Sequence, residues 1–184
     1  PRDGINVSDR FREFWNLVFI QYNRDQNGDL HPLPEKHVDT GMGFERITAI
    51  LQGVNSNYKT DVFLPLLETI SDVTGQPYFD DERGAPHRVI ADHIRCLTFA
   101  IGDGVMPSND GRGYVIRRIL RRAILYGKRL GMDTSFIFNF IDPVIEQLGT
   151  AFPDVIPRRE LIQKIVQSEE NRFHQTLDRG YDSL

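Results

Sequence analysis

The period of apolar positions changes once along this chain, from two to about 3.6, and the change divides it into two regions. Residues 14–22 (FWNLVFIQY) crowd aromatic and β-branched side chains together, which predicts a buried strand better than a helix. Its faces differ: Asn16, Val18 and Ile20 point one way, with Trp15, Leu17, Phe19 and Gln21 opposite. Residues 25–29 (DQNGD) contain an Asn-Gly pair and predict a turn. Pro32 and Pro34 then predict an extended loop leading into a short strand near 37–40. After Gly41-Met42-Gly43, the spacing of Ile47, Ile50 and Leu51 predicts a helix over 44–52, with Gly53 as its stop.

Helical spacing dominates the rest. A helix is expected over 61–73, with Pro65 tolerable only in its first turn and Gly75 closing it. Residues 76–86 are polar and proline-bearing and predict a connection. Ile90, Ile94, Leu97 and Ile101 mark a helix over 89–101, and two more are expected over 136–148 and 158–177. On the last, Leu161, Ile162, Ile165, Val166 and Phe173 share one side, and Glu169 and Glu170 are expected to be solvated. The class is therefore α+β: antiparallel strands followed by a mostly helical part, divided at 1–57 and 58–184. No internal repeat or low-complexity tract interrupts it.

Charge alters this picture. The 184 residues carry a net charge of −4, which argues against a nucleic-acid binder. Yet residues 112–129 hold seven basic side chains and no acid, leaving 15 basic against 26 acidic residues elsewhere. A basic stripe on an acidic body draws a polyanion to one place. The bland reading, a solvated and salt-bridged helix face, stays open beside it. On a helical wheel Val115, Ile116, Ile119, Leu120, Ala123, Ile124 and Leu130 fall on one half. Arg117, Arg118, Arg121, Arg122, Lys128 and Arg129 fall on the other, with Leu125 intruding. Ser108, Asn109 and Asp110 precede this helix, and Gly111 and Gly113 free the backbone to turn sharply. Arg suits phosphate because its planar fork donates paired hydrogen bonds.

Composition is otherwise that of an ordinary globular chain, 40% hydrophobic and 26% charged. No apolar run approaches the length of a membrane span. The lone Cys96 excludes an internal disulfide and fits a reducing compartment. His87, His93 and Cys96 supply only three candidate metal ligands at unfavourable spacing, so no metal is expected on them. Opening on Pro1 and closing at Leu184 within a helical pattern, the chain reads as a piece of a longer protein.

The chemistry-bearing segment is 39–46 (DTGMGFER). A strand ending in Gly41-x-Gly43 and entering a helix with Arg46 lets a nucleotide lie on bare backbone and gives a guanidinium one turn later for phosphate. Strand, turn, strand, glycines and Arg, in that order, resemble the third signature motif of class II aminoacyl-tRNA synthetases. The resemblance narrows to the alanine-specific members through residues 15–19 (WNLVF), 54–58 (VNSNY), 88–94 (RVIADHI) and 103–118 (DGVMPSNDGRGYVIRR).

That resemblance implies an ATP-dependent ligase that activates alanine and transfers it to tRNA(Ala). The strands would come from the end of its catalytic sheet, and the helical part would read the tRNA acceptor stem. It implies that Arg46 acts catalytically on the ATP γ-phosphate, with Gly41 and Gly43 also binding ATP. Asn16, Val18, Asp39 and Gly41 would bind alanine, Asp39 pairing with the α-ammonium. Asn109 would read the G3·U70 wobble pair while Arg112, Arg117, Arg118, Arg121 and Arg122 hold phosphates. ATP and Mg²⁺ are the expected substrate and ion. Zinc is expected only in an editing domain that this chain lacks, and no membrane partner is expected. The location expected is cytoplasmic, with an organellar form left open. The first two signature motifs should precede Pro1, so the chain by itself should be inactive. A stand-alone RNA-binding module and a purely structural helical domain are the competing readings.

Overall fold

The computed structural model describes residues 11–181. Chain contacts divide the molecule into two units, 1–60 and 61–184. The first holds strands β1 (Trp15–Arg24) and β2 (Leu30–Met42) and helix α1 (Phe44–Leu51). The second holds α2 (Leu64–Thr74), α3 (Ala85–Gly102), α4 (Gly111–Arg129), α5 (Ile141–Leu148) and α6 (Arg159–Tyr181). The α+β class expected from the sequence is the one observed.

β1 and β2 pair antiparallel around the DQNGD turn. There the Asp25 carboxylate accepts from the backbone N–H of Asn27 at 2.9 Å and of Asp29 at 3.0 Å. Gly28 takes the left-handed conformation, with φ of 94°, which a side chain would resist. Two expectations fail in this unit. Residues 30–36 are strand rather than loop, because the ladder has room for the prolines. Between the Ile20–His37 and Tyr22–Pro32 pairs, β1 has only Gln21 while β2 has Leu33, Pro34, Glu35 and Lys36. Pro34 sits in that bulge, where no ladder hydrogen bond is asked of it. Nor is β1 buried: all ten of its residues are exposed. Aromatic and β-branched content reports fitness for a covered, pleated surface, and the described residues supply one neighbouring strand and no covering layer.

The second unit carries the apolar core. The α3 stripe of Ile90, Ile94, Leu97 and Ile101 is buried as its spacing predicts. Helix α3 starts four residues earlier than expected, since Pro86 falls in its first turn, where an N–H has no intrahelical partner to lose. Gly75, at φ 67°, closes α2 in the left-handed conformation. The helix expected over 136–148 is instead a 3₁₀ turn, Ile137–Phe140, followed by α5, with Pro143 in the first turn of α5. Phe136 and Phe140 pack edge to face, centroids 5.8 Å apart, at the centre of this junction.

Helix α6 overturns a further expectation. Glu169 and Glu170 are buried, 4% and 0% exposed, in phase with Ile162, Val166 and Phe173. Glu170 survives burial because one carboxylate oxygen accepts from the backbone N–H of Phe136 at 2.9 Å and of Ile137 at 3.1 Å. Desolvation still outweighs these bonds and pushes its pKa up to about 7. On α4, Val115 leaves the expected buried half and is 52% exposed, because the neighbours contact a narrower stripe than half a wheel.

Candidate functional site

Strand register assembles the first cluster. Asn16 stands opposite Gly41, and Val18 opposite Asp39. Directly opposed residues of an antiparallel pair lie on the same side, and positions two apart share a face. Asn16, Val18, Asp39 and Gly41 therefore form one contiguous patch. The Asn16 amide donates to the Glu13 carboxylate at 2.6 Å, which orients it along the strand. A Cβ built on Gly41 would meet nothing within 4 Å, so bare backbone there faces open space.

Gly43 ends the patch and starts α1. Its N–H donates to the Phe14 carbonyl at 2.9 Å, and its own carbonyl accepts from Ile47 N–H at 2.9 Å. The aliphatic stem of Arg46 crosses it: a Cβ on Gly43 would come within 3.2 Å of Arg46 Cδ. The second glycine thus lets the arginine fold back over its own helix start. The guanidinium reaches the Glu13 carbonyl at 2.7 Å through Nη1. Arg46 also lines a cleft of about 320 Å³ with Arg12, Asn55, Ser56, Asn57 and Tyr58. Two guanidiniums beside side-chain amides form a donor set suited to phosphate. Arg12, which donates to the Asn55 carbonyl at 2.8 Å, was missed by sequence reasoning. No local pattern marks it. Only the return of residues 55–58 beside it gives it a site.

The second cluster lies on α4 and the loop before it. Asp110 is the N-cap residue, in extended conformation, and Gly111 follows at φ 54°. Ser108 turns its hydroxyl onto the Asp110 carbonyl at 2.8 Å. Gly113 serves closeness rather than turning: a Cβ there would lie 2.2 Å from both the Met106 carbonyl and Ser108 Oγ. Residues 106–108 can therefore lie directly on the first turn of α4, with Asn109 held out at its tip.

The six polar residues expected to meet RNA divide into two sets. Asn109, Arg112, Arg118 and Arg122 are exposed. Arg122 and Arg129 place their guanidinium carbons 5.8 and 4.6 Å from the centroid of the Tyr126 ring. Arg117 and Arg121 turn instead toward α6. Arg117 Nε lies 3.0 Å from Glu169 Oε1, an ion-pair contact without hydrogen-bond alignment. Arg121 donates to the same oxygen at 2.9 Å and stacks over Phe173 at 4.9 Å. Arg117 also donates through Nη1 to Asn109 Oδ1, and Nη2 lies 3.4 Å from the Pro107 carbonyl. Sequence reading missed Glu169 because residue type was weighed above phase. It follows Val166 by three positions and precedes Phe173 by four, inside the apolar stripe.

No three His, Cys, Asp or Glu side chains converge as a metal site among the described residues. His87 is buried, its Nε2 3.0 Å from the Gln76 carbonyl and its ring edge-on to Tyr78. Desolvation lowers its pKa, so it packs as a neutral ring.

The chain matches the family described as tRNA synthetases class II (A) over residues 3–184. An alanine–tRNA ligase of Chlorobium chlorochromatii is 52% identical over 185 residues, covering 98% of this chain and 21% of the relative. Those of Thermotoga maritima and Pseudoalteromonas translucida are 48% and 52% identical over 176 and 180 residues, each match covering 20% of the relative. The chain thus spans about a fifth of the length of the curated relatives it matches. The strand-to-glycine-to-arginine cluster and the family match run over the same residues. The chain belongs to the class II (A) tRNA synthetases.

Proposed function

We propose that this chain is part of an alanine–tRNA ligase, supplying one wall of the aminoacyl-adenylate site and one face that reads the tRNA acceptor stem. The observation that carries the first half is the register placing Asn16, Val18, Asp39 and Gly41 on one face. A carboxylate, an amide and a bare glycine around one small apolar side chain suit a small zwitterion whose ammonium needs a counter-charge. Asp39 pairs with the ammonium, Asn16 orients the substrate, and Val18 with Gly41 forms the floor.

The reaction has two steps. The alanine carboxylate attacks the α-phosphorus of ATP, forming the mixed anhydride and releasing pyrophosphate. A ribose hydroxyl of the tRNA end then attacks the acyl carbon, giving the ester and releasing AMP. Arg46 contributes charge where the phosphates sit, with Gly41 and Gly43 leaving the backbone open to the nucleotide. Mg²⁺ would supply further charge neutralisation at the phosphates, although no three His, Cys, Asp or Glu side chains converge to hold it among the described residues. The place of action we assign is the cytoplasm.

The second half of the proposal is supported by the exposed arginines of α4 beside Asn109. Arg112, Arg118 and Arg122 hold phosphates, and Asn109 reads a base-pair edge, the G3·U70 wobble. The test is alanine-dependent ATP–pyrophosphate exchange by the full-length protein. Asp39→Asn should raise the KM for alanine at least about tenfold, the effect of losing a charge-assisted contact. Exchange that is indifferent to Asp39→Asn would sink the assignment of the alanine site.

A further inference from the structure

The two arginines that turn toward α6 share one acid, and one of them reaches forward to the loop tip. Glu169 is 4% exposed and the Arg117 side chain 17%, so this contact is shielded from solvent. From that anchor Arg117 meets the loop twice, at Asn109 Oδ1 and near the Pro107 carbonyl. A guanidinium has donors only. The Asn109 atom it holds must therefore be the carbonyl oxygen, which leaves the Nδ2 amide pair facing outward.

We propose that Arg117, held by Glu169, is a positioning residue that fixes the Asn109 amide with its donor outward, so base-pair discrimination depends on both although neither touches RNA. The inference rests on the reading that Asn109 faces an acceptor stem. Arg117 thereby leaves the phosphate-holding set and supports the reading residue. An unsupported Asn side chain rotates among its rotamers and offers donor or acceptor alike. One clamped by an ion pair shielded from solvent offers a donor alone, and it has lost its rotational entropy before the RNA arrives.

The experiment is hairpin binding by the full-length protein across a salt series. One acceptor-stem hairpin carries the G·U pair and a matched one carries G·C in its place. Arg117→Lys keeps the positive charge and loses the fork, so a phosphate contact would largely survive it. Positioning would not. Expected for Arg117→Lys is a loss of about tenfold or more in the G·U over G·C preference, the scale of one base contact, with the slope of log K against log salt unchanged. Glu169→Gln, buried behind the arginine, should lower the same preference with the same unchanged slope. Arg118→Gln should weaken both hairpins alike and make the slope shallower by about one.

In an Asn109→Ala background, Arg117→Lys should change the preference no further, because the group it supports is gone. Circular dichroism melting identifies any variant that fails to fold, and Arg117→Lys then decides where Glu169→Gln does not. The proposal is overturned if Arg117→Lys weakens both hairpins alike, or if it leaves the preference intact while Asn109→Ala abolishes it. A preference that survives Asn109→Ala removes the reading of Asn109 itself, and the support assigned to Arg117 with it.

Discussion

Single positions show how little space the helical unit leaves. A Cβ on Gly127 would lie 2.0 Å from Cζ of Phe136, so the ring rests directly on the α4 backbone. Gly127→Ala should lower stability by about 1–3 kcal/mol, the usual cost of overpacking a filled core. Thermal melting checks this, and Phe136→Leu in the same background should recover part of the loss. If the alanine variant melts with the wild type, the ring can move aside and the packing is looser than it looks. Gly113 is constrained in the same way, by the Met106 carbonyl and Ser108. Its substitution to Ala should push away the loop that carries Asn109. We expect Gly113→Ala to reduce preference for the wobble hairpin while leaving the salt dependence proposed for Arg112, Arg118 and Arg122 nearly as it was. A salt slope that collapses along with the preference would contradict this separation.

At the scale of elements, α6 places two carboxylates side by side in the interior and gives them different work. Glu169 gathers Arg117 and Arg121 from α4, whereas Glu170 accepts the free N–H groups at the start of the 3₁₀ turn. The second arrangement has a pH signature. Burial raises the folded pKa of Glu170 from 4.5 to about 7, so the folded state holds a proton that the unfolded state has already released. Stability from this group is therefore greatest below pH 4.5 and falls as pH rises toward about 7, by roughly 3 kcal/mol at most. His87 and His174, whose pKa values are lowered by desolvation, act with the opposite sign below about pH 6.5. Comparing melting midpoints at pH 5.5 and 8 for wild type and Glu170→Gln isolates the glutamate. The amide should raise the pH 8 midpoint relative to that at pH 5.5, and an unaltered difference would rule out Glu170 as its source.

At the scale of the molecule the two units are stabilised very unequally. Within the described residues of the first unit only Ala49 and Thr60 are buried, while nearly all the buried apolar side chains belong to the second. A two-stranded hairpin without a covering layer is marginal in water. Hydrogen exchange on the 184-residue chain should find the amides of β1 and β2 far less protected than those of α3. Equal protection would mean that the hairpin has cover the buried-residue pattern does not reveal. What was legible without coordinates were features set within a few turns of chain: the helical stripes, the glycine stops, the DQNGD turn, the strand faces and the DTGMGFER segment. These depend on local period and backbone conformation, which a sequence carries directly. Invisible were the partners that meet from far along the chain. Arg12 gains a role only beside residues 55–58. Pro34 stays in a strand only because β2 bulges opposite Gln21, and β1 lacks the cover its composition suits. Above all, the same arginine side chain reads as a phosphate ligand or as a half-buried prop until α6 brings Glu169 to within 3.0 Å of Arg117. The sequence by itself determined the family, the order of elements and which residues could carry chemistry. Only tertiary structure decided which charges face solvent, because ion pairing between distant helices depends on their packing and not on the pattern of either one.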